Sequence, residues 1–353
     1  FTNFKLTYYS DEVSEEDATA ILGQATTLES EVMLASTKTA LTGVKTTFDG
    51  ARTIANYNAL NTAIENANAS IVAYAPLGTK LTEAASVKSS VSGNSPSYVT
   101  TFDTNISAIT SEYNAGNYAE SAISTQVAAV ETEILTLVKS QTVVGSDMTR
   151  AVPNAACTGA AGDDNWKIKN ALASGEYFRL DTWAGSASGM SVPMIEYWIS
   201  NGNTLSSNEM YQTITGLSNG VYRVTAETAV NNESNVAPNA GSALLFANDA
   251  TTDITTGGTQ TDFEGQTGTF NVEGVVSDGS LSLGFKAVSP NYNWIAFKNV
   301  HLYYMGAQAS SDEKTALATA IADAEDYTLG FEDGDYAPYN NVTAISALAT
   351  AKA

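Results

Sequence analysis

Tyr211-Gln212-Thr213-Ile214-Thr215-Gly216-Leu217-Ser218-Asn219-Gly220-Val221-Tyr222-Arg223-Val224 is the stretch from which the fold can be worked out. β-Branched and aromatic residues alternate with polar ones on either side of Ser218-Asn219-Gly220. That triplet has hairpin chemistry, because Asn and Gly take up positive φ at little cost. Two strands are expected, Met210–Leu217 and Val221–Val230. Outward from them the same texture predicts strands at Tyr177–Trp183, Met194–Ser200, Ser242–Ala247, Gly268–Gly274, Ser280–Ala287 and Trp294–Tyr304. Ser277-Asp278-Gly279 is a second hairpin signal. Many short strands with no helix between them predict an antiparallel sandwich or jelly roll over residues 141–306.

Upstream the period changes from 2 to 3.6. Val99, Phe102, Ile106, Ile109 and Tyr113 fall on one helical face, as do Ile123, Val127, Val130, Ile134 and Leu137. Ile54, Tyr57, Leu60, Ile64, Ala67, Ile71 and Tyr74 extend that pattern, and Leu41, Val44 and Phe48 give a shorter stripe. Pro76 is expected to kink or break the long helix that begins near Thr53. Ser95-Pro96 suits a helix start and Gly116-Asn117 a turn. The expectation is an antiparallel bundle of four or five helices over residues 11–140, joined to the sandwich near Val138–Gly145. After Ser310, Leu317, Ile321, Ala324 and Tyr327 form another stripe, so residues 307–353 are expected to begin a second helical module. The fold class is multidomain α plus β: helical bundle, antiparallel β-sandwich, start of a further bundle.

The chain also repeats itself. Phe1-Thr2-Asn3-Phe4-Lys5-Leu6-Thr7-Tyr8-Tyr9 aligns with Phe297-Lys298-Asn299-Val300-His301-Leu302-Tyr303-Tyr304-Met305, and an acidic helix start follows each. Residues 1–10 are therefore expected to be the closing strand of a preceding sandwich. Such a strand pairs within a larger assembly, in an upstream module or a neighbouring copy, because an unpaired edge is a liability.

The stretch 211–224, together with Leu245-Phe246-Ala247-Asn248 and Trp294-Ile295-Ala296-Phe297-Lys298-Asn299, resembles a galactose-binding-like sandwich. This version recurs in large surface and polysaccharide-handling proteins of Bacteroidota. Phe178–Trp183 and Ser191–Trp198 fit the same type. The Ala-rich helical part is similar to the FIVAR-like modules that separate such sandwiches, and Phe331–Asn341 looks like the opening of one. The resemblance implies a carbohydrate-binding-module-like fold, an extracellular or cell-surface location, and neighbouring modules or copies of the same protein as partners.

Composition narrows the function classes. Of 353 residues only 15% are charged, and 16 Lys+Arg stand against 38 Asp+Glu, a formal charge of −22. Such a chain cannot release counterions from nucleic-acid phosphates, so no nucleic-acid partner is expected. An anionic membrane repels it, and no apolar run is long enough to insert. One cysteine, Cys157, excludes an internal disulfide and a thiolate cluster. One histidine, His301, leaves Ser/His/Asp and His-based zinc sites without parts. Glu196, Asp181, Glu209 and Glu227 are the carboxylates that glycosidase chemistry would draw on, but none lies in a motif tied to a reaction. No catalytic residue and no enzyme activity are expected.

What remains is sugar chemistry, in which an apolar sugar face stacks on a ring and polar side chains bond the hydroxyls. Trp183, Tyr292 and Trp294 are placed at loop edges and are the candidate rings. Arg179 and Asn248 are the candidate hydroxyl contacts. Tyr197, Trp198, Tyr211 and Tyr222 lie in regular strands and are assigned to the core. Asp163-Asp164 is the candidate for a calcium ion, since many galactose-binding-like domains hold one; a solvated turn is the alternative, and no other cofactor is expected. Two functions stay open: a non-catalytic adhesive spacer that presents sandwiches, or a carbohydrate-binding module of a glycan-capture protein or polysaccharide-degrading enzyme. A phage fibre of similar architecture is compatible with the same residues.

Overall fold

The computed structural model describes residues 11–159, 165–182, 190–200, 202–231, 238–255, 257–258, 268–309 and 311–332. The repeat strand Phe1–Tyr9, the acidic pair Asp163-Asp164, Trp183 and the segment 333–353 lie outside these residues. The described chain is α plus β, with six α-helices and two essentially antiparallel sheets.

Five helices come first: α1 (Glu15–Glu29), α2 (Ala35–Gly50), α3 (Ile54–Val91), α4 (Pro96–Asn114) and α5 (Ile123–Lys139). Their starts follow local chemistry. Ser14 caps α1 by accepting from the Asp17 amide, with Glu15, Glu16 and Asp17 in the first turn to meet the positive end of the helix. Thr53 caps α3 in the same way, and Pro96 opens α4 where no amide donor is needed.

Pro76 does not end α3, which runs through it for 38 residues. The carbonyl freed by proline belongs to Val72, a residue 72% exposed, on the solvent side of the helix. α3 is therefore a spine shared by two packing groups. Its first half packs with α1 and α2 around Ile21, Leu41, Phe48 and Leu60. Its second half packs with α4 and α5 around Tyr74, Leu77, Phe102, Val130 and Ile134. Gly116 makes the tight turn between α4 and α5: φ is +68°, and a Cβ there would lie 2.2 Å from the Met33 carbonyl oxygen.

Twelve strands follow: β1 (Ser146–Asp147), β2 (Lys167–Ile168), β3 (Glu176–Asp181), β4 (Met194–Ile199), β5 (Asn208–Thr215), β6 (Gly220–Asn231), β7 (Ala243–Ala247), β8 (Ala250–Asp253), β9 (Gly257–Gly258), β10 (Gly268–Val276), β11 (Ser280–Ala287) and β12 (Trp294–Gly306). The larger sheet runs β10-β6-β12-β4-β3, with β1 beside β12 and the short β9 parallel to β6. The smaller runs β2-β5-β11-β7-β8. One core lies between them, drawing Tyr197, Tyr222, Ile295 and Phe297 from the first sheet and Ile214, Leu245, Leu283 and Phe285 from the second. α6 (Ser311–Glu332) comes last, with Leu317 exposed.

Neither expected hairpin forms. Ser218-Asn219-Gly220 leads from β5 in the smaller sheet to β6 in the larger, and Ser277-Asp278-Gly279 leads from β10 in the larger to β11 in the smaller. Each strand pairs with the other connection's arm, β5 with β11 and β6 with β10. The two turns bond each other instead: the Gly279 amide donates to Asn219 Oδ1 (3.1 Å), and the Leu217 amide to the Gly279 carbonyl (3.1 Å). Both arms carry an apolar face, and facing each other across the core buries both. Turn residues specify a reversal, not which layer the chain enters next.

The expected junction at Val138–Gly145 is tied from both sides. Gln141 Nε2 donates to the carbonyls of Val138 (3.1 Å) and Asp147 (3.0 Å), while its Oε1 accepts from Asn94 Nδ2 (3.2 Å). Arg150, just past β1, reaches back to Glu83 of α3 (2.6 Å) and Glu131 of α5 (2.8 Å). Lys80 bonds the same two carboxylates at 2.7 and 2.8 Å.

Candidate functional site

Strand alternation leaves the larger sheet with an outer face opposite the shared core. On β3 the inward residues are Phe178 and Leu180, and the outward ones Tyr177, Arg179 and Asp181. On β4, Ile195, Tyr197 and Ile199 point in, and Met194, Glu196 and Trp198 out. On β12, Trp294, Ala296 and Lys298 point out. Register then sets these residues in rows across the strands. Tyr177 stands opposite Trp198, and Trp198 opposite Trp294, so three rings form one row. The next row is Arg179, Glu196, Ala296 and Ala229.

Tyr177 and Trp198 stack, ring centroids 5.5 Å apart and planes at 29°. The Arg179 guanidinium lies over both rings, 5.4 Å and 5.5 Å from their centroids. Its Nε donates to Glu196 Oε1 at 2.7 Å, and Trp294 Nε1 donates to Glu196 Oε2 at 2.7 Å. Glu196 is buried and holds both groups in place, whereas Tyr177 and the Arg179 side chain are about half exposed, at 48% and 51%. The result is a partly exposed aromatic and guanidinium platform at the β3 edge, with a buried carboxylate beside it.

The strand that carries Tyr177 is anchored at its start. Glu176 accepts from the amides of Ser206 (2.6 Å) and Ala173 (2.8 Å) and from the Ser206 hydroxyl (2.9 Å). Burial works to raise its pKa, but these hydrogen bonds outweigh burial and hold it below the ordinary carboxylate value of 4.5. A depressed folded pKa means that its stabilisation is complete above the ordinary value and lost as pH falls through the folded one. Glu176→Ala should cost about 3 kcal/mol at neutral pH, since two backbone donors lose their acceptor. Urea midpoints should show the wild-type advantage shrinking below pH 4.5. An advantage that grows on acidification would contradict the assignment.

The other candidates lie elsewhere. Tyr292 is not at a loop edge: it is 1% exposed in the shared core, its hydroxyl donates to the Ser242 carbonyl (2.7 Å), and burial pushes its pKa up. Trp294 is on the outer face but covered, at 6% exposure, by Met190 and Val192. Asn248 is a turn residue between β7 and β8, at φ +52°. Its amide donates to the carbonyls of Val275 (2.7 Å) and Ser280 (3.3 Å), and its oxygen accepts from the Ser282 amide (2.8 Å), so its polar atoms serve the backbone. Arg179 alone of these reaches the platform. Tyr177 and Trp198 are not among the expected site residues, and Trp198 faces outward rather than into the core. The alternation of Phe178 and Leu180 against Tyr177 and Arg179 is the signal that separates the faces.

Cys157 is fully buried, and burial pushes its thiol up, away from thiolate chemistry. His301 faces Thr149 Oγ1 at 3.4 Å on β12. Among the described residues, no group of three or more His, Cys, Asp or Glu is arranged to hold a metal, and no helix is long and apolar enough to cross a membrane.

No family model matches the chain, and no curated protein matches it in sequence. Similar solved structures include a CBM4 structure, 12% identical over 43% of this chain and 99% of that one, with a TM-score of 0.29. The CBM22-1 xylan-binding domain of Paenibacillus barcinonensis Xyn10C is 11% identical, over 47% of this chain and 98% of that one, with a TM-score of 0.29. A cyclase from Fischerella sp. TAU is 11% identical, over 45% and 97%, with a TM-score of 0.33.

Proposed function

We propose that the outer face of the larger sheet binds carbohydrate, through Tyr177, Trp198 and Arg179, in a non-catalytic extracellular protein. The observation that carries this reading is the stack of half-exposed Tyr177 on partly buried Trp198, with Arg179 bound to Glu196 beside it. A sugar offers an apolar face to the rings and hydroxyls to the guanidinium. Arg179 is already neutralised by Glu196, and the chain carries −22, so the ligand class is an uncharged glycan.

The spacer role is part of the same proposal. The helical part, which we liken to FIVAR-like modules, carries the sandwich at a set orientation. The ties through Arg150 and Gln141 support this. A Bacteroidota surface protein, with neighbouring modules or copies as partners, fits the repeat and the acidic surface. No turnover is expected on polysaccharides or peptides.

The test is a neutral-glycan array followed by titration calorimetry with Tyr177→Ala and Trp198→Ala. Each should weaken binding at least tenfold, about 1.4 kcal/mol, with far-ultraviolet circular dichroism unchanged. Wild-type failure to bind any glycan, or full binding by both variants, would defeat the proposal.

A further inference from the structure

The aromatic row crosses three strands, and its rings become more buried along it, from Tyr177 through Trp198 to Trp294. Tyr177 is half exposed and Trp198 partly buried, while the third ring, Trp294, is 6% exposed although it stands on an outer sheet face. Its cover is the short segment that enters β4. Met190, 5% exposed, and Val192 pack on Trp294, Ala296, Ala229 and Met194. Between them Ser191 is held from below: Lys298 Nζ donates to the Ser191 carbonyl at 2.8 Å and also bonds its hydroxyl.

Lys298 is an unusual residue for this task. Its side chain is only 11% exposed, with Glu227 3.9 Å away as its charge partner. Burying an ammonium is costly, and the cost is offset where the group is hydrogen-bonded and paired. Here the ammonium spends its bonds on the strap backbone. The Lys298 bonds add to the apolar contacts of Met190 and Val192 on the outer face. Asn299 also bonds Glu227, at 2.9 Å, which leaves that carboxylate a partner if Lys298 is replaced.

We infer that Lys298 sets ligand length at the platform by pinning the strap of residues 190–193 over Trp294, so that the site takes one or two sugar units rather than a long chain. This rests on the glycan-binding reading above. With the strap down, a chain laid along the row meets two rings and then the wall made by Met190. With the strap released, a third ring and the Ala296–Ala229 floor extend the surface across the sheet.

The experiment uses the whole chain with cello- and xylo-oligosaccharides of one, two, four and six units. These probes carry equatorial hydroxyls and therefore two apolar ring faces. Wild-type affinity should level off at the dimer. In Lys298→Met, affinity for the hexamer should exceed that for the dimer at least tenfold, and Lys298→Arg, which keeps a donor, should behave as wild type. A second readout is independent of sugar: amide exchange in residues 190–194 should quicken at least tenfold in Lys298→Met. Ser191→Gly, a milder change, should move it the same way. Unchanged exchange in both variants overturns the pin, whatever the sugars do. Wild-type affinity that climbs steadily to the hexamer, or a Lys298→Met profile that stays flat while its strap exchanges fast, overturns the length limit and leaves the glycan reading standing. If no oligosaccharide binds any form while exchange quickens as expected, the length limit is overturned, and the neutral-glycan array decides the glycan reading.

Discussion

Phe297→Ala is expected to remove about 4 kcal/mol of folding stability, as a large ring lost from a core that cannot close over the gap. Phe297 is fully buried on β12, with its ring stacked on Phe285 of the opposite sheet at 4.1 Å and 18°. Trp166 meets it edge-on at 4.8 Å and lies against Phe285 as well, at 6.3 Å. The three rings join the central strand of the larger sheet, the centre of the smaller one, and the segment just before β2. Truncation leaves a void bounded by two rigid rings that cannot collapse into it, so both the transfer and the cavity contributions are felt. Urea unfolding followed by circular dichroism and tryptophan emission checks this, with an unchanged m-value expected. A loss under about 2 kcal/mol would show that the rings repack. Tyr177→Ala is the control: half exposed on an edge strand, it should cost under about 1 kcal/mol.

Glu196→Ala is expected to cost about 3 kcal/mol and, with it, the order of the platform. Glu196 is 3% exposed and accepts two bonds of 2.7 Å, one from the Arg179 guanidinium and one from the Trp294 ring nitrogen. Most of the penalty comes from the buried tryptophan side. Arg179 is half exposed, and its charge is screened once released. Glu196→Gln keeps one acceptor oxygen and should lose about half as much. The two variants separate stability from binding: Ala should lower glycan affinity at least tenfold at a temperature where it remains folded, because Arg179 no longer lies fixed over the rings. Gln should retain more. Equal affinity for wild type and Glu196→Ala would show that the carboxylate supports the sheet and not the site.

Helix and strand positions are legible in the sequence because each depends on a local period. Ser280–Ala287 is a strand with the expected ends, and Met194–Ser200 and Trp294–Tyr304 differ from the structure by one or two residues. The differences arise where the answer lies outside the local chain. Pro76 lacks the context to break α3, since its cost depends on whether the Val72 carbonyl meets water. β8 has no signal of its own, because Ala250–Asp253 is strand only by pairing with β7 across the Asn248 turn. Tyr292 follows turn residues and looks like a loop ring, yet the loop carries it into the core.

Taken alone, the amino-acid sequence determined which residues of each strand share a face, because the pleat alternates side chains whatever the partner strand is. It determined the helical stripes for the same kind of reason, and its charge and its single cysteine and histidine set the expectation for its chemistry. Only the tertiary structure decided that Ser218-Asn219-Gly220 crosses between sheets, since a turn reverses the chain without naming its next neighbour. The tertiary structure also decided that Tyr177, Trp198 and Trp294 stand in one row, with the third ring under a strap held by Lys298. Those relations come from register and burial between segments far apart in the chain, and no local period contains them.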